Sequence, residues 1–258
     1  MTIIPTSPCL LSIQGASTAA FVASTPLVAG HGEHAERLLA RFGAETVVAV
    51  PPGCRVEAGR PLLVVRGDLP PAPLEAARRL LGRACGIATA AASLVEAARS
   101  VRPDIEVLCP HPPRRSVRPS VLAGGMAIEP EALARASDIR DFTAKGDPAG
   151  ILRFRSLRAA LGTPAVIVMQ RPEDIDDTVL SLADMVVLEG FTPDQARMVR
   201  DRTFGRIPTL NIAVKAGIHA GNAVDYAASG ARMLITPVPL SAPSAEITLI
   251  RPAATEDV

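Results

Sequence analysis

Between residues 105 and 236 the chain alternates short apolar runs with longer stretches of mixed polarity. The apolar runs fall at 105–109, 121–128, 164–169, 184–188, 207–214 and 231–236. Helical spacing predicts helices between them at 129–137, 149–161, 172–182, 192–203 and 219–229. Continuous apolar runs of this length suit strands buried on both faces, and their alternation with helices predicts a parallel sheet. A series this long favours a barrel over an open sheet. No GxGxxG follows any of the strands, which counts against a doubly wound dinucleotide-binding sheet.

The first hundred residues follow another pattern. Ala35, Leu38, Leu39 and Phe42 recur at helical spacing and predict a helix over 32–42. A β-branched run at 46–50 and an apolar run at 61–65 predict strands, separated by the turn Pro51-Pro52-Gly53. Residues 73–99 read as one long helix, ended at Arg102-Pro103-Asp104 because proline stops helices. The expected organisation is a first domain over 1–102, joined by the C-terminal segment 243–258, and a second over 103–242.

Composition narrows the partners. Lys plus Arg is 27 against 26 for Asp plus Glu, so no charge excess points to nucleic acid or an anionic membrane. Trp is absent and Tyr occurs once, which disfavours base-stacking platforms. No apolar run reads as a membrane span and the N-terminus lacks a signal-peptide pattern. Cys9, Cys54, Cys85 and Cys109 have no metal or disulfide spacing. A cytoplasmic protein with no resident metal site is expected. His31 and His34 form an HxxH with Glu33 and Glu36 nearby, but lack a third ligand.

Several segments, in this order, resemble the quinolinate phosphoribosyltransferase family and most closely its ModD-type pyrophosphorylase branch. VEAGRPLLVVRGD at 56–68 is similar to the family's N-terminal sandwich. RACGIATA at 83–90 resembles its domain-junction helix, and SVLAGGMAI at 120–128 resembles the turn after its first barrel strand. ADMVVLEGFTPDQ at 183–195 and AGIHAGNAVDYAASGARMLIT at 216–236 are similar to its later strand ends. ITPVPLSAPSAEITL at 235–249 is closer to the ModD branch. The resemblance implies an N-terminal α/β sandwich followed by an irregular parallel α/β barrel. It also implies phosphoribosyl transfer from PRPP with Mg²⁺, and a homodimer or dimer-built hexamer whose sites are completed by the partner.

The family's charged residues are largely replaced. Its helix begins Glu-Arg where Leu74-Glu75 stands here, and its His-Arg pair is matched by Glu129-Pro130. A strand that ends on an acid in the family ends AVIVMQ at 165–170. The basic stretch after the first barrel strand corresponds to LCPHPPRRSVRPS at 108–120. These changes imply an acceptor other than quinolinate. Glu189 retains an acid at the Leu-Asp-Asn position and is the candidate ribose or Mg²⁺ ligand. Arg114, Arg115 and Arg118, with His111, are candidate anion contacts, although adjacent arginines on an extended chain point apart. Lys145 is a further substrate candidate near a strand end. Gly217 and Thr236 are candidate phosphate contacts, since backbone N–H groups at a strand-to-helix turn suit an anion.

Lys215 and Lys145 are the chain's lysines, and Lys215 ends a strand at the expected mouth. It suits phosphate binding as a point charge, or Schiff-base chemistry if desolvated. Cys109 with His111 is a conceivable nucleophile pair, with a packing cysteine the plainer reading. Three functions therefore stand side by side. They are a phosphoribosyltransferase-like enzyme with an altered acceptor, a Schiff-base barrel lyase using Lys215, and a catalytically retired homologue. The last would bind a phosphorylated metabolite or a partner protein.

Overall fold

A computed structural model describes residues 18–110, 115–140, 148–160 and 162–251. The chain divides into two compact units, residues 1–92, 115–125 and 240–258, and residues 93–114 and 126–239.

The first unit contains β1 (Thr18–Ala23), β2 (Leu27–Val28), α1 (Glu33–Ala40), β3 (Glu45–Ala49), β4 (Arg55–Val56) and β5 (Pro61–Arg66). The long helix α2 (Pro71–Val101) begins in it, and α3 (Arg118–Ala123) and β13 (Ile247–Ile250) complete it. Its four-stranded sheet runs β13-β1-β5-β3 and is antiparallel throughout. β1, TAAFVA, is buried along its whole length. Ala19, Phe21 and Ala23 join a core with Leu39, Leu63, Leu74, Ala77, Leu81 and Ile247. Ala20 and Val22 pack with Val64 on the opposite face. A strand buried on both faces loses the alternation that marks a strand in sequence, which is why β1 escapes the sequence pattern.

The RACGIATA stretch of α2 has a packing explanation. Gly82 and Gly86 lie one turn apart on the face that receives the chain at 243–245. Ala245 N–H donates to the Gly82 carbonyl at 2.8 Å. Thr89 Oγ1 accepts from the Val28 N–H at 2.9 Å, a second tie from this motif to the sheet region. By length and composition alone α2 is apolar enough to cross a membrane, unlike the expectation from sequence. Its apolar face instead fills the core of the unit, while Arg78, Arg79 and Arg83 occupy the other side.

The segment 121–128, expected as a strand, forms α3 and then two residues of β7 (Ala127–Ile128). Pro119 presets the first turn of α3. Gly125 has φ +83°, and Gly124 has no room for a side chain against Ala88 and Ala91 of α2. Two glycines thus let α3 stop abruptly against α2.

The second unit carries β6 (Glu106–Cys109), β7, α4 (Glu131–Ala134), β8 (Ser137–Asp138), α5 (Pro148–Ala160) and β9 (Val166–Met169). There follow α6 (Asp177–Ser181), β10 (Met185–Glu189), α7 (Pro193–Phe204), β11 (Asn211–Lys215), α8 (Ala223–Ala228) and β12 (Met233–Ile235). All seven strands are parallel, in the order β7-β6-β12-β11-β10-β9-β8. Among the described residues no ladder joins β7 to β8, and the seven parallel strands form the irregular α/β barrel that was expected, left unclosed at that seam. The helix expected over 129–137 shrinks to α4, because Pro130 starts it and β8 takes its end. Likewise 172–182 divides into a short 3₁₀ turn and α6, whose start is set by Asp176 accepting from the Thr178 and Val179 N–H groups. α7 is capped reciprocally by Thr192 and Gln195, with Pro193 at its first position.

Candidate active site at the strand ends of the second unit

Parallel register decides which side chains meet. Val187 pairs with Ala213 and with Val168, and Glu189 pairs with Lys215. Asp138 is the register partner of Val168. Side chains two residues apart share a sheet face. Asp138, Gln170, Glu189 and Lys215 therefore stand on the face that carries the apolar cluster of Val168, Val187, Ala213 and Ile235. They cap that cluster at the C-terminal ends of β8 to β11, where parallel α/β folds place their chemistry.

The four side chains and Arg140 form one continuous row. Arg140 Nη2 donates to Asp138 Oδ2 at 2.6 Å and to Gln170 Oε1 at 2.8 Å, and its Nε donates to Asp138 Oδ1 at 3.0 Å. Gln170 Nε2 donates to Glu189 Oε2 at 3.1 Å. Lys215 Nζ lies 3.6 Å from Glu189 Oε1. Glu189 and Lys215 are 40% and 34% exposed, so their pair contributes at most about 1 kcal/mol to stability. Its consequence is geometric: an ammonium and a carboxylate are held side by side at the mouth. The Arg140 guanidinium on Asp138 holds that carboxyl below its ordinary range, outweighing burial, and Arg171 adds to the effect.

The loop after β11 is the second part of the site. Asn222 Oδ1 accepts from the His219 N–H at 2.8 Å, and Asn222 Nδ2 donates to the Gly217 carbonyl at 3.3 Å. His219 is exposed, and its Nδ1 accepts from the Gly221 N–H at 3.1 Å. Ile218 is fully buried and anchors the loop. Among the described residues, the N–H groups of Gly217 and Ala220 have no protein partner, and both residues are exposed. Open space surrounds the position a Gly217 side chain would take.

The structure brings Glu189, Lys215 and Gly217 into this region. Thr236 follows Ile235 and so falls on the opposite face. Its buried hydroxyl donates to the Ile218 carbonyl at 2.9 Å and accepts from the Val238 N–H at 3.2 Å. Its role in the structure is to hold the loop that carries Gly217. Arg115 is an exposed turn residue of the first unit. His111, Arg114 and Lys145 lie outside the described residues. Sequence reasoning missed Asp138, Arg140 and Gln170. The alternation in Ser-Asp-Ile-Arg at 137–140 was the available signal for a strand end there.

Cys109 ends β6 fully buried. Burial first, and then the neighbouring Glu129 charge, push its thiol up to about 11. A neutral buried thiol is no nucleophile, so the Cys109–His111 pair gains no support. Brief alkylation of the native protein at pH 8 is expected to label the partly exposed Cys54 and to spare Cys85 and Cys109. Peptide mass spectrometry reads the result, and native labelling of Cys109 refutes its assignment as an inert packing thiol.

The Mg²⁺ that the resemblance implies finds a poor donor set. Mg²⁺ needs hard oxygen ligands in near-octahedral array. Asp138 is held in two hydrogen bonds by the Arg140 guanidinium and a third by the Arg140 N–H, and Glu189 faces a lysine on one oxygen and an amide on the other. Among the described residues no three His, Cys, Asp or Glu side chains gather to hold a metal, the HxxH of α1 included.

An antiparallel sheet in one unit and seven parallel strands in the other define an α/β protein of the nicotinate-nucleotide pyrophosphorylase fold. The Ehrlichia chaffeensis nicotinate-nucleotide pyrophosphorylase aligns with a TM-score of 0.73 at 15% identity, covering 93% of this chain and 90% of that one. The Francisella tularensis nicotinate-nucleotide pyrophosphorylase aligns with a TM-score of 0.71 at 14% identity, covering 93% and 87%. At such identities the likeness establishes the fold alone. No family model matches the sequence. Over 216 residues the chain is 30% identical to the Rhodobacter capsulatus protein named "Putative pyrophosphorylase ModD", covering 78% of this chain and 80% of that relative. The chain belongs to this ModD-type pyrophosphorylase family, within the quinolinate phosphoribosyltransferase fold group.

Proposed function

We propose that this protein is a phosphoribosyltransferase-like pyrophosphorylase that joins the ribose phosphate of PRPP to a ring acceptor other than quinolinate. The observation that carries the reading is the Glu189–Lys215 pair beside the open Gly217 loop. The phosphate lies against the free N–H groups of Gly217 and Ala220. Glu189 accepts hydrogen bonds from ribose hydroxyls, and Lys215 faces the departing diphosphate. A ring nitrogen of the acceptor forms a bond to the ribose C1 as the C1–oxygen bond breaks, and that electron pair leaves on the diphosphate. Each cation described in the row already faces a carboxylate, which suits an acceptor with less negative charge than a ring dicarboxylate. Arg114, Arg115, His111 and Lys145 remain candidates for its anionic groups. The enzyme acts as a homodimer or dimer-built hexamer in a cytoplasm reducing enough to keep Cys54, Cys85 and Cys109 as thiols.

The Schiff-base reading lacks a supporting feature. A lysine activated for that chemistry sits in an apolar pocket or beside another cation, whereas Lys215 is a third exposed and faces Glu189.

Calorimetric titration of PRPP with Mg²⁺ present tests the proposal. Micromolar binding that weakens at least about tenfold in Glu189→Gln is expected, the size of one charged hydrogen-bond partner lost. Absence of binding at millimolar PRPP sinks the transferase reading and favours a retired homologue.

A further inference from the structure

The donor set at the strand ends points to a specific departure in how the proposed donor is held. We propose that Lys215 is a fixed substrate-binding cation that stands in for a protein-ligated Mg²⁺, so that the protein takes up the phosphorylated ribose without a divalent metal. The proposal rests on the transferase reading above and specifies how that site neutralises its anion.

Three observations carry it. First, the ammonium of Lys215 is 3.6 Å from Glu189 Oε1. A dication bound to that oxygen would sit within a few ångströms of a fixed positive charge, and their repulsion subtracts from whatever the one carboxylate offers the metal. Second, the other oxygen of Glu189 accepts from Gln170 Nε2, and the orientation of that amide is set by Arg140 donating to its Oε1. The strand end beside Glu189 thus offers an N–H donor rather than a second carboxylate. The other carboxylate of the row, Asp138, is clasped by Arg140. Third, Lys215 is the register partner of Glu189 and stands on the same face, two residues before Gly217. An ammonium there reaches the same anion as the free N–H groups of the loop, and lysine binds phosphate as a point charge without the geometry a metal demands.

Charge accounting is consistent with the exchange. A carboxylate pair needs an added dication before it meets a diphosphate. A carboxylate–ammonium pair, with an amide on the other carboxylate oxygen, needs none, because the ammonium is already present and Glu189 keeps it in place. Gln170 is in this account a positioning residue, acting on the substrate through Glu189.

The experiment compares PRPP titrations of the unmodified protein in EDTA and in excess Mg²⁺. Dissociation constants within about threefold of each other are expected, since no protein–metal bond is made or lost. Lys215→Met is expected to weaken binding in EDTA by about tenfold or more, while Lys215→Arg keeps most of it. The comparison between buffers uses the native protein, so it stands even if the Met variant folds poorly. Binding in Mg²⁺ that vanishes in EDTA overturns the proposal and leaves the transferase reading intact. No binding in either buffer overturns the transferase reading and the proposal with it. As an independent readout, Mn²⁺ alone is titrated against the protein and followed by electron paramagnetic resonance. Retention of the free-ion signal is expected, and a tight Mn²⁺ site lost in Glu189→Gln overturns the proposal.

Discussion

Replacing Gly86 with alanine is expected to destabilise the protein by about 3 kcal/mol and to lower its melting temperature by roughly 10 °C. The added methyl would come 2.1 Å from the Pro243 carbonyl oxygen and 3.0 Å from the Ala245 nitrogen. Both are backbone atoms, so no rotamer change relieves the clash. Either α2 moves away from the core that holds Leu74, Ala77 and Leu81, or the segment 243–245 lifts off. Lifting costs the Ala245 bond to Gly82 and loosens β13, which pairs with β1 over Ala20 to Ala23. Gly205→Ala is the control, with ordinary φ and nothing within 4 Å of the new methyl. Thermal melting separates the two, and hydrogen exchange over 247–250 reports whether the C-terminal strand has been released. A Gly86→Ala protein that melts with the parent would show that α2 is not held against the tail as described.

That expectation gives the RACGIATA stretch a meaning its sequence only hinted at. In sequence it stood out only through its resemblance to a domain-junction helix, whereas much of the fold was legible from periodicity. α2 announced itself through helical spacing, and β9 to β12 through short continuous apolar runs between helices. β1 and β13 did not, because β1 is buried on both faces and gains its definition from strands distant in sequence. The 121–128 run misled because its apolar residues serve a short helix packed on α2, a fact fixed by the room at Gly124 and not by periodicity. In the candidate site, Lys215 was visible as a lysine closing an apolar run, and Glu189 through the resemblance, as the acid kept at the Leu-Asp-Asn position. Gln170 read as the loss of an acid. Its position between Arg140 and Glu189 depends on the register of three adjacent strands, which no local pattern encodes. Thr236 shows the reverse limit: a hydroxyl at a strand end looks available in sequence, yet the face it occupies commits it to the Ile218 carbonyl.

The largest functional effect is expected from Gly217→Asp, which should weaken PRPP binding about a hundredfold or more while leaving the melting temperature within a few degrees. The fold has no objection to a side chain there. Gly217 does not have a positive φ, and its added Cβ meets nothing within 4 Å. The residue is exposed at the surface of the loop, and the bond that its backbone carbonyl accepts from Asn222 Nδ2 uses no side chain at position 217. What changes is charge. A carboxylate beside the free N–H groups of Gly217 and Ala220 sits where the proposed phosphate would sit. Two unit charges about 4 Å apart repel by about 1 kcal/mol in bulk water and about 4 kcal/mol near a protein surface, a range whose upper part spans the hundredfold expected. Gly217→Ala isolates the steric part and is expected to cost no more than about fivefold. Calorimetry on the two variants separates charge from bulk. If Asp and Ala at this position bind PRPP as well as the parent does, the phosphate is elsewhere, and the loop after β11 is an ordinary strand-to-helix turn.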